Sequence, residues 1–170
     1  LVAGGRVYLL EHTGETIWGP VSIPGGGQGG APTVADFDGD GRPEIGVAGA
    51  SNYVVFDTNG SILWTAKTQD SSSHRTGSSV FDFDGDGKAE VLYADEVRFF
   101  IYDGATGTMR LNIPNGSATT LEYPIVTDVD NDGQANIILT SGGAGVGGVR
   151  AFESANTPWP ATRPIWNQHA

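Results

Sequence analysis

The chain has no cysteine among its 170 residues. Disulfides and thiolate chemistry are therefore excluded. Positive charge is scarce too, with nine Lys and Arg against twenty Asp and Glu and a formal net charge of −11. Those nine are not clustered, so a nucleic-acid backbone finds no counter-charge. No apolar run approaches the roughly eighteen residues of a membrane span. Helical periodicity is missing as well, and Leu1-Val2-Ala3-Gly4-Gly5 lacks the features of a secretory leader.

What the chain does have is a motif written three times. Asp36-Phe37-Asp38-Gly39-Asp40-Gly41-Arg42-Pro43-Glu44 returns as Asp82-Phe83-Asp84-Gly85-Asp86-Gly87-Lys88-Ala89-Glu90. It returns again as Asp128-Val129-Asp130-Asn131-Asp132-Gly133-Gln134-Ala135-Asn136, each step being 46 residues. A fixed period of this size marks a solenoid, propeller or array. Aspartates at alternate positions crowd their carboxylates, which repel unless a hard cation sits among them. Ca²⁺ takes six to eight oxygens and suits this donor set, and the sixth-position glycine allows a sharp turn.

An EF-hand would need a glutamate at position twelve, where Val47, Tyr93 and Leu139 stand. β-branched segments also replace its flanking helices. We therefore expect calcium loops between strands. The side chains of Asp36, Asp38, Asp40 and Glu44 would bind in the first loop. Asp82, Asp84, Asp86 and Glu90 would serve in the second, and Asp128, Asp130, Asp132 and Asn136 in the third. The backbone carbonyls of Arg42, Lys88 and Gln134 complete the three sets. Asn136 lowers the charge of the third loop, which is expected to bind most weakly. The loops hold eleven of the twenty acids, so three Ca²⁺ ions would bring the net charge to about −5.

Along the chain, Gly60 and Trp64 fall one period after Gly14 and Trp18. Residues 1–22 thus read as the later strands of a unit whose loop precedes Leu1. Complete units follow at 31–66 and 77–113, a modified one at 122–153, and a Pro/Trp-rich closing segment at 154–170. Strands are expected to about Ala35 and at 45–50, 53–57 and 61–66, then at 79–82, 90–94, 97–102 and 108–113, and finally around 122–127, 136–141 and 148–153. The glycine-rich stretches 25–30 and 142–148 mimic dinucleotide fingerprints, but strands follow them and no helix N-terminus would hold a phosphate. Asp70, Ser73 and His74 lie in a polar linker that lacks the rigid frame of a triad. Asn59-Gly60-Ser61 and Asn115-Gly116-Ser117 fit both a turn and a glycosylation acceptor.

Four short strands per period make one blade of a β-propeller. The pattern D-x-D-x-D-G-x-x-[DE], with Gly30-Ala31-Pro32 before its first copy, resembles the FG-GAP/VCBS repeats of integrin-like propellers. The resemblance covers the chain to about residue 154 and implies Ca²⁺ at the loop positions named above. Fewer than four blades are present, so the expected fold is an all-β partial propeller. The remaining blades would lie on the same protein or on another copy.

The expected function is a non-catalytic, secreted or cell-surface module for adhesion or assembly, with three structural Ca²⁺ ions and a protein or glycan ligand. Two rivals stay open. A lyase-like enzyme acting on acidic polysaccharides would need a base and cations, yet His12, His74 and His169 occupy unrelated parts of the repeat. A carbohydrate-binding module would use Trp159 and Trp166.

Overall fold

The computed structural model describes residues 1–117, 122–142 and 147–165. These form fourteen strands in four antiparallel sheets, with no helix among them. The first sheet holds β1 (Val2–Ala3), β2 (Arg6–Leu10) and β3 (Thr16–Ser22). The second holds β4 (Thr33–Ala35), β5 (Glu44–Ala48), β6 (Asn52–Phe56) and β7 (Ile62–Lys67). In the third are β8 (Ser78–Phe81), β9 (Glu90–Ala94), β10 (Arg98–Tyr102) and β11 (Met109–Pro114), and in the fourth β12 (Ile125–Thr127), β13 (Asn136–Ser141) and β14 (Gly148–Phe152). Every sheet is a simple meander whose spatial order follows the chain.

Two expected strands have a boundary two or three residues from where the sequence suggested. The one drawn over 122–127 begins at Ile125, because Pro124 has no N–H for a ladder. The one drawn over 45–50 ends at Ala48, where the Gly49 N–H donates to the Asn52 carbonyl (2.8 Å) and closes a tight turn.

The central strands β5, β6 and β9 are buried at all five positions. A strand covered on both faces reads as a continuous apolar run, as in Tyr53-Val54-Val55-Phe56. The cover comes from neighbouring sheets. Val7 and Ile23 of the first sheet and its connector pack on Ile45, Val47, Val54 and Phe56 of the second. The opposite face of the second sheet, with Tyr53, Val55 and Trp64, meets Val91, Tyr93, Phe100 and Tyr102 of the third. Leu92, Phe99 and Ile101 then turn to Ile137 and Leu139 of the fourth. Each of these larger side chains contributes about 1.5–3 kcal/mol on burial. Among the described residues, no buried cluster joins the fourth sheet back to the first.

The first-strand edges of neighbouring sheets are stitched by polar contacts at a matching step. Thr33 Oγ1 donates to the Ser78 carbonyl (3.1 Å), and Ser79 Oγ donates to the Pro124 carbonyl. This fixes neighbouring sheets in the same orientation. The loops after each first strand therefore lie at one end of the stack, beside the hairpin turns after each third strand. The long connectors lie at the other end. There the Ala50 N–H donates to Gly26, Glu96 N–H to Gln69, and Gly142 N–H to Gly116, lacing each connector to the following sheet.

Candidate metal centres

Each repeated loop is shaped by its own carboxylates accepting backbone N–H groups. Asp36 accepts from Gly39 (2.7 Å) and Gly41 (3.0 Å). Asp82 does the same with Gly85 and Gly87, and Asp128 with Asn131 and Gly133. The fifth-position aspartates Asp40, Asp86 and Asp132 accept from the seventh-position amides of Arg42, Lys88 and Gln134 at 2.8, 2.9 and 2.8 Å. Gly41, Gly87 and Gly133 adopt φ of +83°, +87° and +89°, where a side chain would be strained.

The outcome is three groups of convergent oxygens: Asp36/Asp38/Asp40, Asp82/Asp84/Asp86 and Asp128/Asp130/Asp132. In each group one oxygen per aspartate lies within 4.8 Å of the others. Hard, anionic donors this close fit a divalent cation of the Ca²⁺ type, and without one they repel. Asp128 is buried, while Asp40, Asp86 and Asp132 face solvent.

The ninth residue does something the spacing alone did not show. Glu44 Oε2 accepts the Phe37 N–H (2.8 Å), Glu90 Oε2 accepts the Phe83 N–H (2.8 Å), and Asn136 Oδ1 accepts the Val129 N–H (2.8 Å). It thus ties the end of the loop to its second residue, and an amide oxygen does this as well as a carboxylate. All three are buried and stand at the start of β5, β9 and β13. The Glu44 and Glu90 carboxylates lie outside the three-aspartate groups. Burial pushes the Glu44 and Glu90 carboxyls up from the usual range, against the opposing pull of the Phe37 and Phe83 amides.

The FG-GAP-like repeat family matches the chain over residues 1–47 and 82–139, more than half its length. This chain belongs to that family. The crystal structure of the V. cholerae biofilm matrix protein Bap1 is similar, with 35% identity and a TM-score of 0.70 over 75% of this chain. The match spans 22% of the Bap1 chain. No curated protein matches.

Of the other residues weighed from sequence, Asp70 is buried and fully used. It accepts from the backbone of Ser73, Arg75 and Thr76 and from the Ser73 and Thr76 hydroxyls. Burial pulls its carboxyl upward, but these donors outweigh it and leave the pKa below the usual value. It organises the linker. Trp159 is half-buried, its ring edge-on to Phe83 at 4.7 Å between centroids, so it caps the core between the third and fourth sheets. Trp166 and His169 lie outside the described residues. Asn59 is exposed, whereas Asn115 is buried with its amide donating to the Thr140 carbonyl (3.2 Å).

Sequence reading overlooked Arg110. It stands one period after Trp64 and two after Trp18, and its guanidinium reaches into the second FG-GAP-like loop. Lining up the period at that column would have exposed the substitution. No helix among the described residues is long and apolar enough to cross a membrane.

Proposed function

We propose that this FG-GAP-like chain is a calcium-stiffened part of an extracellular β-propeller that serves adhesion or assembly. The observation that carries the reading is the convergence of three aspartates, by the same backbone geometry, in all three loops. Stacked four-stranded meanders are the form of propeller blades, and a ring would need further blades from the same protein or another copy. The likeness to a biofilm matrix protein supports a place outside the cell. Extracellular calcium sites typically bind at about 10⁻⁴–10⁻³ M, so they fill outside cells and stay empty in most cytosols.

The first, second and third aspartates of each loop would hold the ion, joined by the seventh-position carbonyl and by the ninth side chain. The metal supplies charge neutralisation and cross-linking between strands, with no chemical step. At about 1–2 mM Ca²⁺ and a Kd of about 100 µM, each filled site adds roughly 1.5 kcal/mol. Three sites together would shift the Tm of a domain this size by roughly 10–15 °C. Calorimetric titration should give three bound ions, and EDTA should lower the Tm by that amount. Equal melting with and without Ca²⁺ would defeat the reading.

A further inference from the structure

The tryptophan column of the repeat has a shared job. Trp18 Nε1 donates to the Thr58 carbonyl (2.8 Å) and Trp64 Nε1 to the Gly104 carbonyl (2.6 Å). Each ring also lies against a glycine in the hairpin turn of the following sheet: a Cβ on Gly60 would come within 2.9 Å of Trp18, and one on Gly107 within 2.5 Å of Trp64. Both tryptophans clasp the next sheet. Arg110 occupies the third place in this column and does not repeat the contact.

Arg110 turns back into its own sheet. One guanidinium nitrogen meets Asp84 Oδ2 (2.5 Å) and Glu90 Oε1 (3.3 Å), and the other meets Asp103 Oδ2 (2.5 Å). Asp84 and Glu90 are the third and ninth residues of the second loop. Lys88 adds a looser contact to Asp86 Oδ2 (3.7 Å). Among the described residues, the corresponding groups Asp38 and Glu44 of the first loop, and Asp130 of the third, have no such cation. Glu90 is 1% exposed, so its charge interacts with Arg110 largely away from water.

Building on the calcium reading of these loops, we propose that Arg110 is a resident counter-ion of the second loop. It holds Asp84 and Glu90 in place when calcium is low, and it makes this site bind calcium more weakly than the first. A guanidinium cannot lose its proton at any physiological pH, and its planar fork fixes two carboxylates at once. An arriving Ca²⁺ meets oxygens already engaged and a positive charge close by. Two loops with the same four carboxylates then respond at different calcium concentrations, and the second keeps its shape in the empty state.

The test compares the chain with its Arg110→Gln and Arg110→Lys variants by calcium titration calorimetry and by melting in EDTA. Arg110→Gln should tighten one calcium-binding step by roughly three- to tenfold, an effect that shrinks as NaCl is raised. The same variant should melt lower in EDTA than the parent, with Arg110→Lys between them in both measurements. Arg110→Lys also keeps the test open if the glutamine variant fails to fold. Three unaltered binding steps and unchanged melting in EDTA would overturn the inference while leaving the calcium reading intact. Loss or weakening of a binding step in Arg110→Gln would overturn it in the opposite sense, making Arg110 an aid to binding. A parent chain that binds no calcium would bring down both.

Discussion

The seam between the second and third sheets differs from the seam between the third and fourth. The first of these is aromatic. Tyr53, Trp64, Tyr93, Phe100 and Tyr102 bury together, with Tyr53 and Trp64 stacked at 5.7 Å and Phe100 and Tyr102 at 5.3 Å. Trp64 also bonds across the seam. The later seam relies on Leu92, Phe99, Ile101, Ile137 and Leu139, has an arginine where the clasp would be, and borrows Trp159 from beyond the last strand. Equal spacing in sequence therefore does not mean equal holding strength between sheets. Each seam depends on a few large side chains and on whether they find a polar partner.

Three substitutions sharpen or break this contrast. Trp64→Ala should have the largest effect, about 3–5 kcal/mol, because it empties a buried site and leaves the Gly104 carbonyl without its donor. Thermal unfolding should register it as a fall of roughly 10 °C. Trp159→Ala should cost about half as much, since the ring is only half-buried and holds its seam mainly by packing on Phe83. Should Trp159→Ala prove the more damaging, the ranking of the two seams is wrong. Tyr53→Phe is the smallest change. It removes the phenol's bond to Ser78 Oγ (2.7 Å) while keeping the ring, for about 1 kcal/mol in urea unfolding. A loss as great as that of Trp64→Ala would move the main strength of the seam from its rings to its polar first-strand edge.

Most of the all-β layout was legible in the sequence because the loops fix a register. Once Asp36, Asp82 and Asp128 mark the period, the apolar runs between them can only be short strands, and the structure places these within one to three residues of expectation. The ninth position was expected as a metal ligand, and its role in tying the loop shut was not legible, because that role depends on the Phe37, Phe83 and Val129 amides, which have no sequence signature. Arg110 was hidden for a related reason. A lone arginine in an exposed strand looks like ordinary surface charge until the fold brings Asp84, Glu90 and Asp103 around it. Which face of each sheet meets which neighbour was equally out of reach, since Val54 and Val55 are both buried and differ only in the partner they find.

The shared orientation of the sheets makes the molecule electrically lopsided. Most of its carboxylates crowd one rim, while the connectors run along the other. A ligand docking on the acidic rim would feel the degree of ion loading and the salt of the medium. One docking on the opposite rim would be nearly blind to both, so the calcium dependence of any attachment would reveal which end makes it.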